Sequence, residues 1–98
     1  VWHLATVGGA RAMGIEQLGC VKPGWKADFM LVKPTLPTPL SAHNIYEQLL
    51  LYCDASHVDT VFAAGKVKKE NGVVLDADIE TLRARSQQAA ERLWQKAA

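Results

Sequence analysis

The chain has 98 residues, of which 49% are hydrophobic and 21% charged, and its 11 lysine and arginine residues nearly balance 10 aspartate and glutamate residues. The net charge of +1 provides no strong field for nucleic acid or a membrane surface, and the composition is that of a globular chain rather than a disordered one. The length allows one domain or part of one, and it excludes a complete α/β barrel, which needs about 250 residues. A compact chain of this size would bury roughly two-thirds of its unfolded surface.

The first predicted element is a helix over residues 2–13. Gly14 follows at the position where a left-handed residue ends a helix, with Ile15 as its hydrophobic partner. Gly8 and Gly9 each cost about 1 kcal/mol relative to alanine inside a helix, so we expect this helix to pack closely against another element. The chain enters the helix at once, with neither an initiating methionine nor a capping residue, and we expect it to be a piece of a longer polypeptide.

A strand is predicted over residues 27–32, after a turn at Pro23 and Gly24, which supply the φ angles of a type II turn. Beyond Asp28 this run is apolar on both faces, so we expect a strand that is buried on both sides. Three prolines then predict an extended loop over residues 34–41.

The second helix is predicted over residues 43–52, with Asn44 as its N-cap and Glu47 completing a capping box. Cys53 and His57 lie four residues apart, the spacing at which a helix would place a thiol beside an imidazole, as nucleophilic cysteine chemistry requires. The intervening Asp-Ala-Ser sequence indicates a helix end, so a buried cysteine beside a turn histidine is the favoured interpretation.

Three short strands are expected next, over residues 58–64, 67–69 and 73–75. A tight turn joins the first two, and Asn71-Gly72, the strongest hairpin signal in the chain, joins the last two. A long amphipathic helix over residues 77–97 ends the chain, capped by Asp76 or Asp78 and packed beside the sheet. Its apolar stripe consists of Ile79, Leu82, Ala89 or Ala90, Leu93 and Ala97.

The residue types that hold metals are present, but their spacing is wrong for a site. The three histidines, His3, His43 and His57, lie on different predicted elements, and no His-x-His, His-Glu-x-x-His or Cys-x-x-Cys motif occurs. The two cysteines, Cys20 and Cys53, are typical of a reduced cytoplasmic protein; one disulfide between them is conceivable, although nothing in the sequence requires it. We therefore predict no catalytic, cofactor-binding or metal-binding residue within these 98 positions.

Two blocks early in the chain carry a family resemblance. Residues 5–14 read Ala-Thr-Val-Gly-Gly-Ala-Arg-Ala-Met-Gly, and residues 18–29 read Leu-Gly-Cys-Val-Lys-Pro-Gly-Trp-Lys-Ala-Asp-Phe. This succession resembles the C-terminal signature of the amidohydrolase superfamily. Residues 58–67 resemble a later block of that signature, Val-x-x-Val-x-Val-x-Gly-(Lys/Arg)-x-Val. The ending, residues 76–93, is similar to the helical tail of the cytosine-deaminase-like and triazine- or chlorohydrolase-like branch.

The resemblance implies a metal-bearing (β/α)8 barrel with a small β-sandwich made from both chain ends, and hydrolysis of C–N or C–Cl bonds on heterocycles and amides, above all deamination. It implies that Zn²⁺ or Fe²⁺ in the full-length parent activates water. The metal ligands of the family lie upstream of the Ala-Thr helix, so none has a matching position here. Asp28 opens a sandwich strand in this pattern, where its carboxylate accepts N–H bonds from a turn. Ala63-Ala64-Gly65 replaces the usual Val-(Asn/Asp)-Gly, so we expect that this turn can differ.

The expected fold class is a mixed α/β (α+β) segment in three parts. Residues 1–14 form the last barrel-type helix, residues 15–75 a portion of the β-sandwich with an inserted helix over 43–53, and residues 76–98 a C-terminal amphipathic helix.

Two hypotheses for the function follow. The chain is either the C-terminal scaffold segment of a metal-dependent amidohydrolase, not catalytic by itself, or an independent self-associating α/β module from a truncated gene with no enzymatic role. The expected partner is the rest of the barrel or a second copy, giving a homo-oligomer in the cytoplasm, with no nucleic acid and no membrane. The interface is expected at the apolar face of the first helix, which carries Trp2, Ala5, Gly9 and Met13.

Overall fold

The structure is a computed structural model, and it describes residues 1–97. Its elements in chain order are helices α1 (Trp2–Ala5) and α2 (Val7–Ala12), strand β1 (Phe29–Val32), helix α3 (Ile45–Tyr52), a short 3₁₀ helix (Ala55–His57), strands β2 (Val58–Ala63), β3 (Lys66–Glu70) and β4 (Val73–Val74), and helix α4 (Ile79–Ala97). The predicted mixture of helices and antiparallel strands is confirmed.

The first helix is not continuous, because the backbone breaks at Thr6, with φ −125° and ψ −109°. The Thr6 hydroxyl donates to the carbonyl of Trp2 at 2.9 Å, within the turn that the break leaves incomplete. Gly19 packs against this notch: a Cβ on Gly19 would lie 2.6 Å from the Val7 nitrogen, so only glycine fits at this separation. The prediction of one helix over residues 2–13 was therefore wrong at Thr6, where the approach of a distant loop backbone overrides the helical pattern.

The end of α2 follows the prediction. Gly14 adopts φ +72°. Its N–H donates to Arg11 and the N–H of Ile15 donates to the carbonyl of Ala10, which is the paired pattern of a Schellman motif. The two helical glycines lie against α1: a Cβ on Gly9 would lie 2.5 Å from the carbonyl oxygen of Leu4. This contact is internal to the predicted 2–13 helix, so the expected packing of these glycines against another element stays a prediction.

The four strands form one antiparallel sheet in the order β1-β2-β3-β4. Phe29 pairs with Phe62, and their rings stack with centroids 4.5 Å apart. Irregular register occurs between Leu31 and Val32 on β1 and between Val61 and Phe62 on β2. The prediction that the 27–32 strand and the later hairpin share one sheet is confirmed.

Both hairpin turns place two consecutive residues in the left-handed region. Ala64 and Gly65 have φ of +51° and +77°, and Asn71 and Gly72 have φ of +50° and +79°. These angles are the type I′ pattern, whose twist matches that of the flanking strands. Ala64 therefore adopts the backbone conformation that Asn71 adopts in the second turn.

The entry to β1 is joined to the first of these turns. The N–H of Ala64 donates to the Asp28 carboxylate at 2.6 Å, and the N–H of Gly65 donates to the carbonyl of Ala27 at 3.0 Å. The expectation that Asp28 accepts N–H bonds from a turn is confirmed. These two bonds, one of which joins residues 36 positions apart, fix where β1 begins relative to β2.

The N-cap position of α3 is Asn44, as predicted, but no side-chain hydrogen bond caps the helix. The Asn44 side chain instead faces the preceding loop, accepting from the N–H of Ser41 at 2.8 Å and donating to the carbonyl of Pro39 at 3.0 Å. The predicted capping box with Glu47 was therefore wrong, because the amide is engaged by the proline-rich loop. The helix ends at Tyr52, which confirms a helix end before His57.

Helix α4 begins where predicted from its cap: Asp78 accepts from the backbone N–H of Thr81 at 3.1 Å. Every residue from Ile79 to Ala97 is exposed, and the helix makes at most marginal contact with the sheet. The prediction that α4 packs beside the sheet was wrong for this chain. Lys68 of β3 holds the start of the helix by an ion pair with Asp76, at 2.6 Å.

The described chain is extended rather than compact. Its radius of gyration is 17.9 Å, whereas a compact domain of this length has about 13 Å. The accessible surface is 7973 Å², against roughly 5,500 Å² for a compact chain of this mass, so about half of the unfolded surface is buried instead of two-thirds. Only Ala10 and Thr60 are buried among residues 1–97. The expected double-sided burial of β1 was wrong for the same reason: within this chain, no second layer covers it.

Candidate functional site

The histidines do not converge. His3 lies on α1, His43 precedes α3, and His57 ends the 3₁₀ helix. Among residues 1–97, no group of three or more histidine, cysteine, aspartate or glutamate side chains is arranged to hold a metal ion. Both cysteines, Cys20 and Cys53, are free thiols. The residues present therefore do not fit the metal that the resemblance implies, and we derive no chemical step through a metal from this segment.

One cluster brings a serine, a histidine and an aspartate together. The hydroxyl of Ser56 donates to Asp54 at 2.5 Å, and the backbone N–H of Asp54 donates to Nδ1 of His57 at 3.1 Å. A nucleophilic triad needs the serine hydroxyl on the histidine, with the carboxylate on the far ring nitrogen. Here the serine bonds the carboxylate directly, so the cluster is a capping box that starts the 3₁₀ helix. Sequence reasoning missed this box, since an Asp-x-x-His pattern is a rarer form of the signal.

Three aspartates are held in the ionised state by local donors. The hydroxyl and the backbone N–H of Ser56 lower the pKa of Asp54. The hydroxyl of Thr60 lowers the pKa of Asp59, with a further contribution from Lys33. The Thr81 hydroxyl and N–H lower the pKa of Asp78. Each carboxylate therefore acts as an acceptor that shapes a turn or helix start, and none is poised to donate a proton near neutral pH.

Large apolar side chains are exposed on β1 and α3. Met30 is 57% exposed, Leu51 67% and Tyr52 59%. Trp2 of α1 contacts Tyr46 of α3, with ring centroids 5.0 Å apart. We call the following set the exposed apolar groups: Phe29, Met30, Leu31, Tyr46, Leu50, Leu51 and Tyr52. Groups of this kind on two elements of one chain are typical of a surface that another body covers.

An open cleft of about 440 Å³ separates the proline-rich loop from α3, and no carboxylate, amine or imidazole lines it. Its walls are Leu36, Pro37, Thr38, Gln48 and Tyr52. A second depression beside the end of α2 contains Arg11, Glu16 and Trp25, and the Lys22 ammonium lies 5.2 Å from the Trp25 ring centroid. Neither of these two clefts combines a nucleophile, a base and an anion-stabilising group.

The family follows from comparison with known proteins. A model of the amidohydrolase family matches residues 2–69, more than half of the chain. The chain therefore belongs to the amidohydrolase family, and the superfamily predicted from the Ala-Thr and Pro-Gly-x-x-Ala-Asp blocks is confirmed.

The similar curated proteins are deaminases. The chain is 40% identical over 91 residues to a 5-methylthioadenosine/S-adenosylhomocysteine deaminase of Pelotomaculum thermopropionicum, covering 93% of this chain and 21% of that protein. It is 35% identical over 94 residues to the enzyme of the same name from Desulforudis audaxviator, covering 95% of this chain and 22% of that protein. The chain thus spans about a fifth of the length of the relatives it matches.

A solved structure shares the arrangement. A zinc-bound adenosine deaminase from Xanthomonas campestris superposes with a TM-score of 0.86 at 29% identity, over 96% of this chain and 22% of that one. The fold of the segment is therefore that of a piece of an amidohydrolase. Between Val1 and Ala97, none of the helices has both the length and the apolar character that crossing a membrane demands. The assignment to the cytosine-deaminase-like or triazine branch is not confirmed by these relatives and stays a prediction.

Proposed function

We propose that the chain is the C-terminal scaffold segment of a metal-dependent deaminase that acts on the adenine ring of a nucleoside, and that it has no catalytic activity by itself. The observation that carries the proposal is the match to 5-methylthioadenosine/S-adenosylhomocysteine deaminases over 93–95% of the chain. The three parts expected from the sequence, residues 1–14, 15–75 and 76–98, are then the last barrel helix, the sandwich portion and the terminal helix.

The amount of uncovered surface supports a scaffold segment over a self-standing module. The accessible area exceeds that of a compact chain by roughly 2,500 Å². A standard protein interface covers only about 800 Å² per partner. Pairing with one further copy through an interface of that size would leave most of the excess exposed. A covering body several times larger than this chain accounts for it, as the remaining four-fifths of a deaminase would.

The catalytic metal, Zn²⁺ or Fe²⁺, belongs in this proposal to the upstream part of the enzyme. A catalytic zinc takes about three protein ligands and leaves one position for water. Nδ1 of His57 is engaged by the backbone N–H of Asp54. His3 and His43 lie on two other elements. This segment therefore contributes positioning of the barrel rather than a ligand.

The substrate class is inferred from the relatives. Those with a stated substrate act on 5-methylthioadenosine, S-adenosylhomocysteine or adenosine, all of which carry the 6-amino group of adenine. Hydrolytic removal of that group replaces the amino group at C6 with an oxygen atom from water and releases ammonia. We therefore place the parent among adenine-nucleoside deaminases, and we keep the predicted location in the cytoplasm as part of this proposal.

The test is a chimera in which the matched fifth of the Pelotomaculum enzyme is replaced by residues 1–98. Ammonia release is measured with 5-methylthioadenosine, S-adenosylhomocysteine, adenosine, cytosine and a chlorotriazine. We expect deamination of an adenine nucleoside within about tenfold of the unmodified relative's kcat/KM, a cost of at most 1.4 kcal/mol in transition-state stabilisation.

Two controls accompany the chimera. The relative lacking its matched fifth is expected to be inactive, and residues 1–98 alone with added Zn²⁺ or Fe²⁺ are expected to show no turnover above a metal-only blank. A folded chimera without activity on any adenine nucleoside would contradict the proposal. Turnover by residues 1–98 alone would contradict the scaffold role.

A further inference from the structure

Within residues 1–97, helix α4 is tied to the sheet only just before its first residue, by the ion pair between Lys68 and Asp76. All 19 of its residues are exposed. Its side-chain hydrogen bonds are local, such as Arg83 to Glu80 at 3.0 Å and Arg92 to the carbonyl of Gln88 at 3.2 Å. Across residues 1–97, no side-chain hydrogen bond or ion pair joins α4 to a strand or to another helix. Most helical stability in proteins comes from packing of one face rather than from propensity, so an unpacked α4 lacks its main source of stability.

The placement of α4 is nevertheless shared with a solved relative. The adenosine deaminase structure superposes over 96% of the chain with a TM-score of 0.86. The helix holds nearly a fifth of the residues, so that score cannot be reached with α4 out of place. The ion pair between Lys68 and Asp76 lies before the first residue of α4, and an exposed ion pair of this kind contributes little to stability. A helix that keeps one position in two proteins, with only that tie inside the segment, is held mainly by something outside the segment in both.

The sequence of α4 shows which face is held. Apolar and small residues recur at intervals of three and four, the spacing of one helix face: Ile79, Leu82, Ser86, Ala89 and Leu93. Leu82 is 49% exposed and Leu93 63%. Ala84 and Gln95 lie on the opposite face at helical spacing. The two small residues between the leucines allow another backbone to approach closely at the centre of the stripe.

A second copy of α4 is a poor occupant for this stripe. An antiparallel pair that matches Leu82 with Leu93 of the second copy would also bring Arg85 opposite Arg92 of the second copy, twice along the same side of the seam. Like charges at these flanking positions oppose pairing. The family model ends at residue 69, whereas the deaminase relatives match 93–95% of the chain. Helix α4 therefore lies in the region of sequence similarity to the deaminases, but outside the residues that the family model matches.

We propose that the α4 stripe (Ile79, Leu82, Ser86, Ala89 and Leu93) is a docking surface for the upstream part of the deaminase polypeptide, and that this contact closes the C-terminal end of the enzyme onto its barrel. The inference rests on the proposed function, because it takes the deaminase polypeptide as the occupant. It adds a specific contact beyond the part of the chain that the family model covers.

Hydrogen exchange of the α4 amides tests the proposal directly. It is measured in residues 1–98 alone, in the chimera, and in the unmodified Pelotomaculum enzyme, whose matched region serves as the folded reference. We expect α4 in the isolated chain to exchange within about tenfold of an unstructured peptide. In the chimera and in the relative, we expect protection at least a hundredfold higher. The β2 and β3 amides report in each sample that the sheet is folded.

Matched variants locate the docked face. Leu82→Glu with Leu93→Glu is expected to lower α4 protection in the chimera at least tenfold. Ala84→Glu with Gln95→Glu adds the same charge on the opposite face and is expected to change α4 protection less than threefold. The proposal would be overturned if the two double variants lost equal amounts of α4 protection, or if neither lost any. It would also be overturned by an unprotected α4 in a chimera whose sheet is protected.

Two further results separate the possible causes. Protection of α4 in the isolated chain that rises with protein concentration would show that a second copy covers the stripe, which overturns the proposal. Deamination is measured on the same samples. A chimera with a protected α4 and no deamination contradicts the proposed function alone, and an active chimera with an unprotected α4 contradicts this inference alone.

Discussion

Replacing Ala64 with asparagine should stabilise the β2–β3 hairpin. Ala64 has φ +51° at the first central position of its turn, and Asn71 has φ +50° at the same position of the next turn. Both are followed by glycine, with φ of +77° and +79°. One chain thus contains the same turn geometry with an alanine and with an asparagine, which provides an internal reference for the cost of the alanine.

The magnitude follows from the backbone conformation. A residue with a Cβ in the left-handed region costs roughly 1–2 kcal/mol, and asparagine tolerates this region better because its short polar side chain can bond locally. We therefore expect Ala64→Asn to recover about 1 kcal/mol, which is a fivefold change in an equilibrium constant. Asn71→Ala should lose a similar amount.

The assay is hydrogen exchange of the β2 and β3 amides next to each turn in the 98-residue chain, since exchange reports local opening without requiring a global two-state transition. Ala64→Asn is expected to raise protection about fivefold, and Asn71→Ala to lower it by a similar factor. The reasoning fails if Asn71→Ala lowers protection as expected while Ala64→Asn leaves it unchanged or lower. That pair of results would show that Ala64 carries no strain.

Three further predictions concern single groups. Asp28→Ala should lower protection at the same turn by about 1 kcal/mol, because the N–H of Ala64 loses its acceptor, and unchanged exchange there would contradict it. Gly19→Ala should destabilise the chain by at least about 1 kcal/mol more than Gly24→Ala in urea unfolding; both glycines have positive φ, but only a Cβ on Gly19 meets backbone, at 2.6 Å. The hydrogen bonds that lower the pKa of Asp54 stabilise the fold above the ordinary aspartate pKa of 3.8, and this stabilisation is lost as pH falls through the lower pKa of the folded state. Acid should therefore increase amide exchange at this turn in the unsubstituted chain. Asp54→Asn should remove that dependence of exchange on pH.

Features that depend on a few neighbouring residues were predictable. The left-handed Gly14, the Asn71-Gly72 hairpin and the Pro23-Gly24 turn each follow from the φ angles that these residues allow. The role of Asp28 came from the family resemblance, because the Ala64 N–H that it meets lies 36 positions away and no local rule identifies it.

Features that depend on distant backbone were missed. The helical pattern across Thr6 is unbroken in sequence, yet the helix breaks there, where the Gly19 backbone packs against Thr6 and Val7. The capping signal at Asn44 was present, but its side chain bonds the proline-rich loop instead of the helix. In both cases a loop decides the outcome, and loop paths do not follow from periodicity.

The predictions of burial for β1 and α4 were wrong for a different reason, and that reason bears on function. Apolar runs on β1 and α4 predict burial but do not say which chain supplies the cover, and the described residues of this chain do not supply it. Its turn and cap hydrogen bonds, by contrast, form between residues of the same chain. Local hydrogen bonds define the conformation of each piece, but burial supplies most of the folding free energy. We therefore expect the local hydrogen bonds to define the conformation of the segment, and its stability to depend on the polypeptide that it is proposed to complete.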